Sequence, residues 1–458
     1  MLNINHLKRQ SLLAAAFSLL AIHAAPSFAN DPVVLTFSTV GDSRQDNAAP
    51  DVTTVNPALI GVGSCPSTSG VTGLVTNPGL TGQDCKWQQN TKAWSRIIRT
   101  IQSQKANLLF FNGDMIMGYG KAGVPVTRNS TGTSETVITS PAVSDVVTSD
   151  LMQFYQQYSF WRGMVAPLME TGTYVVPVPG NHETQCKRCN KKSQVENENA
   201  WRDNMGDLVI DQIRLNNLLA SAGTGLSLTS TNINTPPSST FVSPANNIIA
   251  QGTLNPDGIT TSQQQLSYSF DIGPNHFSII NTDPTGNDGH APASWLDSDL
   301  TSAVNNGAQH LFVFGHKPAF YYSYTGAAPS STSSLYLTNA TSATNFWYVI
   351  TKHNATYFSG HEHIYNVSQP SDNTHPEGGY PNGPYQVIVG AGGSPFDDLE
   401  TVSGQSFPSG TLPTDRMYSW ATVSIHQSGA VVMNTYGFDA TMTNPVKTLG
   451  TFTLPAAK

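Results

Sequence analysis

The chain has 458 residues, which is enough for one large domain or two ordinary ones, and its formal net charge is −8. Only 11% of the residues are charged, whereas Ser, Thr, Asn, Gly and Pro are abundant. Nucleic acids are bound through clustered Lys and Arg, so this composition excludes a polyanion-binding surface and a nucleic-acid partner. Any anionic substrate must be attracted by a local positive group, such as a bound metal ion.

Residues 1–29 have the pattern of a secretory signal peptide. Lys8 and Arg9 form its basic region, residues 11–25 its apolar region, and residues 27–29 (SFA) a small-x-small cleavage site. The apolar region is too short to span a bilayer, which argues against the alternative of a retained membrane anchor. We therefore predict an exported protein, periplasmic or extracellular, that begins near Asn30 and has no membrane partner after cleavage.

Strands and helices alternate in the first half of the predicted fold, and strands dominate the second half. Buried or alternating apolar runs predict strands, and apolar residues at i, i+3, i+4 and i+7 predict helices. The first half has strands at 33–40, 108–111 and 174–178, and helices at 91–105 and 150–164. The second half has a hairpin at 266–272 and 276–282, helices at 293–304 and 345–353, and strands at 311–314, 356–358, 385–389, 421–425 and 430–436.

This mixture of elements favours a layered α/β domain with stacked sheets over a plain doubly wound sheet. We expect one domain over residues 30–440 and a C-terminal tail over 441–458. Insertions rich in Ser, Thr and Asn are predicted at about 45–90, 120–147, 220–262 and 324–344.

Four cysteines in an exported chain predict two disulfide bonds. Pairing Cys65 with Cys85 and Cys186 with Cys189 is the simplest of the three possible connectivities. A redox Cys-x-x-Cys is the alternative for the second pair, but no thioredoxin-like βαβ pattern surrounds it. A Cys₄ zinc site is disfavoured because the first pair is too widely spaced.

Five predicted strands end, at a turn that contains glycine, in side chains that bind metal ions. These side chains are Asp42, Asp114, Asn181, His316 and the pair His361 and His363. The carboxyl ends of strands in an open α/β sheet gather at one edge, where ligands bind. Each strand end alone has an ordinary explanation as a turn, a cap or a loop. Together they predict a mixed carboxylate, amide and imidazole site for two divalent metal ions.

The same blocks resemble, in order and content, the five signature blocks of the calcineurin-like metallophosphoesterases. They read GDSR (41–44), NGDMIMGYG (112–120), GNHE (180–183), GHKP (315–318) and GHEH (360–363). Segments 268–283, 295–300 and 387–395 are similar to the purple-acid-phosphatase-like branch of that family. The resemblance implies a four-layer α/β/β/α sandwich of two mixed sheets. It also implies a phosphatase in which a metal-held hydroxide attacks the phosphorus of a phosphate monoester.

The resemblance further implies a role for each strand-end residue. Asp114 would bridge two metal ions; the first ion would also be bound by Asp42 and His363, the second by Asn181, His316 and His361. The ions are expected to be divalent or trivalent, and Mn, Fe and Zn remain open. His182 would stabilise the transition state or protonate the leaving oxygen, with an ordinary histidine at a helix start as the alternative.

Two positions depart from the family's pattern. Arg44 stands where many members have a ligating His, and a guanidinium cannot bind a metal ion. Met117 stands where purple acid phosphatases have a ligating Tyr, and Tyr119 is out of register by two residues. The first metal ion is therefore predicted to lack a ligand. Arg44 would instead grip the substrate phosphate, or form a salt bridge that holds Asp42 or Asp46.

The predicted metal ligands do not identify the substrate. A phosphodiesterase or nucleotidase would use the same site, because substrate choice would lie in the insertions. A non-catalytic metal- or phosphate-binding protein is the alternative from another class, although Asp114, Asn181 and His182 favour catalysis. The expected partner is a small phosphate ester, and the sequence does not indicate an oligomeric state. Asp283 and His290 could reach that substrate, or could be ordinary loop residues.

Overall fold

The structure is a computed structural model of the chain. It describes residues 31–44, 82–128, 135–228, 257–320, 334–370, 384–394, 417–439 and 444–458, and for residues 82–90 the backbone alone. The predicted signal peptide, Cys65 and the side chain of Cys85 lie outside this description, as do large parts of the predicted insertions.

Strands and helices alternate along the described residues. The strands are β1 (Val33–Val40), β2 (Leu108–Asn112), β3 (Val126–Arg128), β4 (Glu135–Val137), β5 (Tyr174–Val178), β6 (Gln185–Cys186), β7 (Lys192–Ser193), β8 (Tyr268–Ile272), β9 (Asn275–Ile279), β10 (His310–Phe314), β11 (Thr356–Ser359), β12 (Tyr365–Ser368), β13 (Gln386–Val389), β14 (Met417–His426), β15 (Val431–Asp439) and β16 (Lys447–Thr453). The helices are α1 (Gly82–Ser103), α2 (Val143–Val147), α3 (Asp150–Glu170), α4 (Asn181–Thr184), α5 (Val195–Met205), α6 (Gln212–Ser221), α7 (Ala293–Asn305), α8 (Leu335–Thr338) and α9 (Ala340–His353). Among these helices, none is both long and apolar enough to cross a membrane.

Most of the strands belong to two six-stranded mixed sheets. The first sheet has the order β16-β15-β14-β1-β2-β5, in which β1, β2 and β5 are parallel and the other neighbours pair antiparallel. The second sheet has the order β12-β13-β11-β10-β9-β8, in which β9, β10, β11 and β13 are parallel and both edge strands are antiparallel. Each sheet therefore has a parallel part whose strands end at the same edge.

An aromatic core fills the space between the two sheets. Phe110 of β2 stacks on Phe314 of β10 with ring centroids 3.8 Å apart, and Phe37 of β1 meets Phe312 edge-on at 5.0 Å. All four rings are at most 1% exposed. Burying each such ring contributes roughly 1.5–3 kcal/mol, so this layer fixes the sheets face to face.

Helices cover the outer face of each sheet. On the first sheet, α1 and α3 bury Trp94, Ile97 and Trp161 in one apolar cluster with Phe111 of β2. On the second sheet, α7 and α9 bury apolar side chains that include Leu296 and Trp347, together with Val313 of β10. The order of layers is helix, sheet, sheet, helix, and the predicted four-layer α/β/β/α sandwich of two mixed sheets is confirmed.

Some elements differ from the sequence-based prediction. The strand at 174–178 has the predicted bounds, whereas α1 begins earlier than predicted, at Gly82, and α3 runs on to Glu170. The prediction missed α5 because its sequence is polar, yet the fold buries Asn197, Glu198 and Arg202 on it. It also missed β16, a half-exposed edge strand within the residues predicted as a tail. The domain boundaries stay a prediction.

Candidate metal centre

Loops from both sheets meet where the parallel strands end. Asp42, just after β1, donates its backbone N–H to the carbonyl of Gly113 at 2.9 Å, and Arg44 donates likewise to Asp114 at 2.9 Å. In the second sheet, the backbone N–H of Gly360 donates to the carbonyl of His316 at 2.9 Å. These bonds tie the strand-end loops together and place their side chains in one buried site.

Four of the predicted ligands form what we call cluster two: Asp114, Asn181, His316 and His361. Nε2 of His316 lies 2.8 Å from Oδ1 of Asn181 and 3.1 Å from Oδ1 of Asp114. Nδ1 of His361 lies 2.9 Å from the same amide oxygen and 3.2 Å from Nε2 of His316. Two nitrogens and two oxygens thus converge on one point.

A hydrogen bond from the His316 ring to the backbone orients this ring in cluster two. Nδ1 of His316 lies 2.6 Å from the carbonyl oxygen of Asn112, so this nitrogen donates, and Nε2 is the atom that would bind a metal ion once its proton is displaced. Burial lowers the pKa of His316, but the Asp114 and Asp42 carboxylates outweigh it and raise the pKa to about 9. The cluster therefore attracts a cation, and its donor set fits a borderline divalent metal ion.

The two remaining predicted ligands, Asp42 and His363, form cluster one together with Asp114. Oδ2 of Asp42 accepts the backbone N–H of His361 at 2.8 Å, while Oδ1 is buried without a hydrogen-bond partner among the described residues. Nε2 of His363 lies 3.5 Å from that oxygen. Burial raises the pKa of Asp42, and His316 and His363 offset this only in part. A cation would satisfy the orphaned oxygen, so this donor set also fits a metal ion.

Asp114 belongs to both clusters. Its Oδ1 lies 3.1 Å from Nε2 of His316 in cluster two, and its Oδ2 lies 3.6 Å from Nε2 of His182 and from Nε of Arg44. Burial raises the pKa of Asp114, but His182 and His316 outweigh it and hold the pKa well below its usual value. The shared carboxylate is thus charged and faces two candidate sites that could hold two metal ions.

Three of the ligands have left-handed backbone conformations. The φ angles are 62° at Asp42, 57° at Asp114 and 68° at His361. For residues other than glycine this region costs on the order of 1–3 kcal/mol each, and such strain is concentrated at functional sites. Gly113 (φ 82°) is equally constrained, because a Cβ atom there would lie 2.5 Å from Nδ1 of His316.

His182 and Arg44 lie at the border of cluster one. Nδ1 of His182 is bonded to the carbonyl oxygen of Met117, and its Nε2 accepts a hydrogen bond from Nε of Arg44 at 3.0 Å. Nη1 of Arg44 lies 3.3 Å from Nε2 of His363. Arg44 forms an ion pair with Asp114, a partner that the prediction did not name. Asp46, one of its two predicted partners, lies outside the described residues.

Sequence reasoning gave Glu183 no role, although it is the last residue of the GNHE block. Its fully buried carboxylate accepts the backbone N–H groups of Gly180, Asp114, Met115 and Ile116 at 2.8–3.1 Å. Burial and the charge of Asp114 raise the pKa of Glu183 to about 7. Glu183 therefore shapes the loop that carries the shared ligand. Its position in the block was the only signal in the sequence.

Tyr119 lies beside the site without being a strand-end residue. Its hydroxyl accepts a hydrogen bond from Nδ2 of Asn181, and its ring lies on His182 with centroids 3.7 Å apart. Burial raises the pKa of the Tyr119 hydroxyl above its usual value, so the phenol stays neutral. Tyr119 thus positions Asn181 and His182.

Other residues from the sequence analysis have structural contacts outside the two clusters. Asp283 accepts hydrogen bonds from Gln185 and Gly289 and pairs with the buried Lys317 at 2.9 Å. The ring of His290 is bonded to a backbone carbonyl, that of Asp257.

The predicted bond between Cys186 and Cys189 is present, with a Cα–Cα distance of 5.0 Å. The turn that it closes is tied to Tyr119, because the N–H of Lys187 donates to the carbonyl of Tyr119 at 3.0 Å. Tyr119 in turn donates its own N–H to the carbonyl of His182 at 3.2 Å. The disulfide turn therefore supports the loop beside the site.

No family model matches the sequence, and no curated protein matches it. Among solved structures, the chain is similar to a purple acid phosphatase from yellow lupin (Lupinus luteus) seeds, with 13% identity and a TM-score of 0.47 over 92% of this chain and 53% of that one. It is also similar to a dimetal phosphatase from Danio rerio, with 11% identity and a TM-score of 0.41 over 93% of this chain and 99% of that one. The chain thus spans about half the length of the lupin protein.

Proposed function

We propose that this chain is an exported, metal-dependent phosphatase that hydrolyses phosphate monoesters, with a small phosphate ester as its substrate. One observation carries the proposal: Asp114, a buried carboxylate, lies between two clusters of metal-type ligands that have an arginine and a histidine at their border. Two neighbouring cations held by these residues would suit an in-line displacement at phosphorus, because they would stabilise both the attacking and the leaving oxygen.

The protein's part in this chemistry is to bind, orient and transfer a proton. Clusters one and two would hold two metal ions, which when bound lower the pKa of water and neutralise charge on the phosphoryl group. Arg44 offers a planar pair of donors to a phosphate that enters beside cluster one. Nδ1 of His182 is held by a backbone carbonyl, so its Nε2, which here accepts a hydrogen bond from Arg44, is the atom that would carry a proton to the leaving oxygen once Arg44 turns to the phosphate.

Export is supported by the signal-peptide pattern of residues 1–29 and by the disulfide between Cys186 and Cys189, since such bonds persist in oxidising compartments. The identity of the metal ions stays open among Mn, Fe and Zn, because carboxylate, amide and imidazole ligands suit each of them.

The proposal is tested by hydrolysis of p-nitrophenyl phosphate and bis-p-nitrophenyl phosphate from acid to alkaline pH. The purified mature chain is chelated and then supplied separately with Mn, Zn, Fe, Mg or Ca. We expect metal-restored hydrolysis of the monoester, lost in Asp114→Asn. Asp207→Asn, which removes an exposed carboxylate paired with Arg162, serves as the matched control and should keep full activity.

The other outcomes select the alternatives. A preference for the diester would assign the same site to a phosphodiesterase or nucleotidase. Tight metal binding without turnover of either substrate would identify a non-catalytic metal-binding protein. Failure to bind any metal ion would overturn the proposed site itself.

A further inference from the structure

Arg44 is buried and lies next to the candidate ligands of cluster one. It is 8% exposed, and its backbone is fixed by a hydrogen bond from its N–H to the carbonyl of Asp114 at 2.9 Å. From this position its guanidinium reaches Nε2 of His363 at 3.3 Å, Nε2 of His182 at 3.0 Å and Oδ2 of Asp114 at 3.6 Å. Two of these three partners, His363 and Asp114, are members of cluster one.

The hydrogen bond from Arg44 occupies the electron pair on Nε2 of His363. A guanidinium has N–H donors, no acceptor and a permanent positive charge in proteins. Nε2 of His363 must therefore be the acceptor of the bond from Nη1 of Arg44. A metal ion would need that same electron pair, so Arg44 and a metal ion cannot both be bound by His363 Nε2 at full strength.

The positive charge of Arg44 also disfavours a metal ion in cluster one. The guanidinium already neutralises part of the charge of Asp114 on its Oδ2 side, and a cation in cluster one would lie next to it. In cluster two, Nε2 of His316 instead lies beside the oxygens of Asp114 and Asn181 and Nδ1 of His361, rather than beside a guanidinium. The two clusters therefore differ in how strongly their surroundings favour an added cation.

We propose that Arg44 competes with a metal ion for cluster one, so that the chain binds one metal ion tightly in cluster two and a second one weakly until an anion draws the guanidinium away. This inference rests on the proposed metal centre. A phosphate group offers the planar guanidinium two oxygen acceptors in place of His363. Binding of phosphate and of the second metal ion is then mutually reinforcing, because coupling between two ligands is reciprocal.

Metal binding tests the proposal directly. The chelated mature chain is titrated with Mn or Zn by calorimetry, and stoichiometry is measured by elemental analysis after equilibrium dialysis, with and without inorganic phosphate. We expect two classes of site in the wild type, and a weaker class that Arg44→Ala tightens by about 10-fold, within the usual range of coupling between sites. Arg44→His should tighten it further, since an imidazole adds a ligand.

Three comparisons make the result specific. The gain in Arg44→Ala should disappear in Arg44→Ala/His363→Ala, as a double-mutant cycle requires for residues in contact. Phosphate should tighten the weaker class more in the wild type than in Arg44→Ala. Arg162→Ala, which removes an arginine paired with the exposed Asp207, should change neither class. An unchanged tight class in each variant shows that the fold is intact.

Equal affinity of both classes in the wild type, or a weaker class that loosens when Arg44 is removed, would overturn the competition. In that case the metal centre itself would stand. Absence of metal binding in the wild type would instead overturn the proposed function together with this inference.

Discussion

Tyr119 accepts a hydrogen bond from the side-chain NH₂ of Asn181, and the amide oxygen of Asn181 consequently faces His316 and His361. An amide can ligate a metal ion only through its oxygen, so the tyrosine hydroxyl sets which way round this ligand is presented. The same ring lies on His182. One neutral phenol thus orients a candidate ligand and a candidate acid.

We expect Tyr119→Phe to weaken metal binding at cluster two by about 10-fold, because groups that orient ligands typically contribute 10–100-fold to metal affinity. Calorimetric titration of the chelated chain measures this change. Tyr155→Phe is the matched control, since Tyr155 donates its hydroxyl to Asp203 outside both clusters. Equal affinities in Tyr119→Phe and the wild type would show that Asn181 needs no such partner.

His182→Asn should lower kcat for p-nitrophenyl phosphate by about 10²–10⁴-fold, the usual contribution of a general acid. Metal content should stay at the wild-type level, because His182 belongs to neither cluster. His290→Asn is the comparison: its ring is bonded to the carbonyl of Asp257, and we expect little change in kcat. A loss of metal ions in His182→Asn would mean that this histidine is a ligand instead.

Glu183→Gln should destabilise the chain by about 3 kcal/mol, because an amide NH₂ would face backbone N–H groups that now donate to a buried carboxylate. Urea unfolding of the chelated protein measures the change in the free energy of unfolding. Glu196→Gln, at a partly exposed ion pair with Lys121, should change it by less than about 1 kcal/mol. Similar changes in the free energy of unfolding for the two variants would show that Glu183 has no such structural role.

His276 predicts a pH-dependent contribution to stability away from the metal centre. Burial lowers its pKa, but hydrogen bonds with Asp271 and Asp299 at 2.6 and 2.9 Å outweigh this and raise the pKa to about 9. A pKa raised on folding means that the stabilisation is complete below the unfolded value of about 6.5 and is lost as the pH rises through about 9.

The difference in the free energy of unfolding between wild type and His276→Gln should therefore shrink by about 3 kcal/mol between pH 6 and pH 10. Urea unfolding at several pH values measures it, and subtracting the variant removes the titration of all other groups. A difference that stays constant with pH would mean that His276 is neutral in the folded chain.

Cys186→Ser/Cys189→Ser should lower kcat by about 10-fold, because small displacements of a catalytic group are costly. The disulfide turn is hydrogen-bonded to Tyr119, and Tyr119 to His182, so loosening the turn displaces the ring beside the site. Steady-state kinetics and thermal unfolding are compared with the wild type. Unchanged catalysis and unfolding temperature would show that the bond does not support the site.

The metal-type side chains could be predicted because strand patterns and their turns are local. The strand ending before Asn181 was predicted with its actual bounds, and parallel pairing of β1, β2 and β5 brings such ends together. The partners of Glu183 and Arg44 could not be predicted, since both reach across loops that only the folded sheets bring together. Polar helix α5 was missed for a related reason: burial of Glu198 depends on partners such as Gln263, far away in the chain.

The left-handed backbones of Asp42, Asp114 and His361 have a consequence for how this site can change. Glycine would relax each loop but would remove a ligand, so local stability and metal binding are opposed at these positions. Asparagine is the exception, because it tolerates this conformation and keeps the shape of aspartate while discarding its charge. At Asp42, where burial raises the pKa of the carboxyl, a change to Asn or Gly should therefore weaken metal binding and yet leave the metal-free chain more stable than it is now.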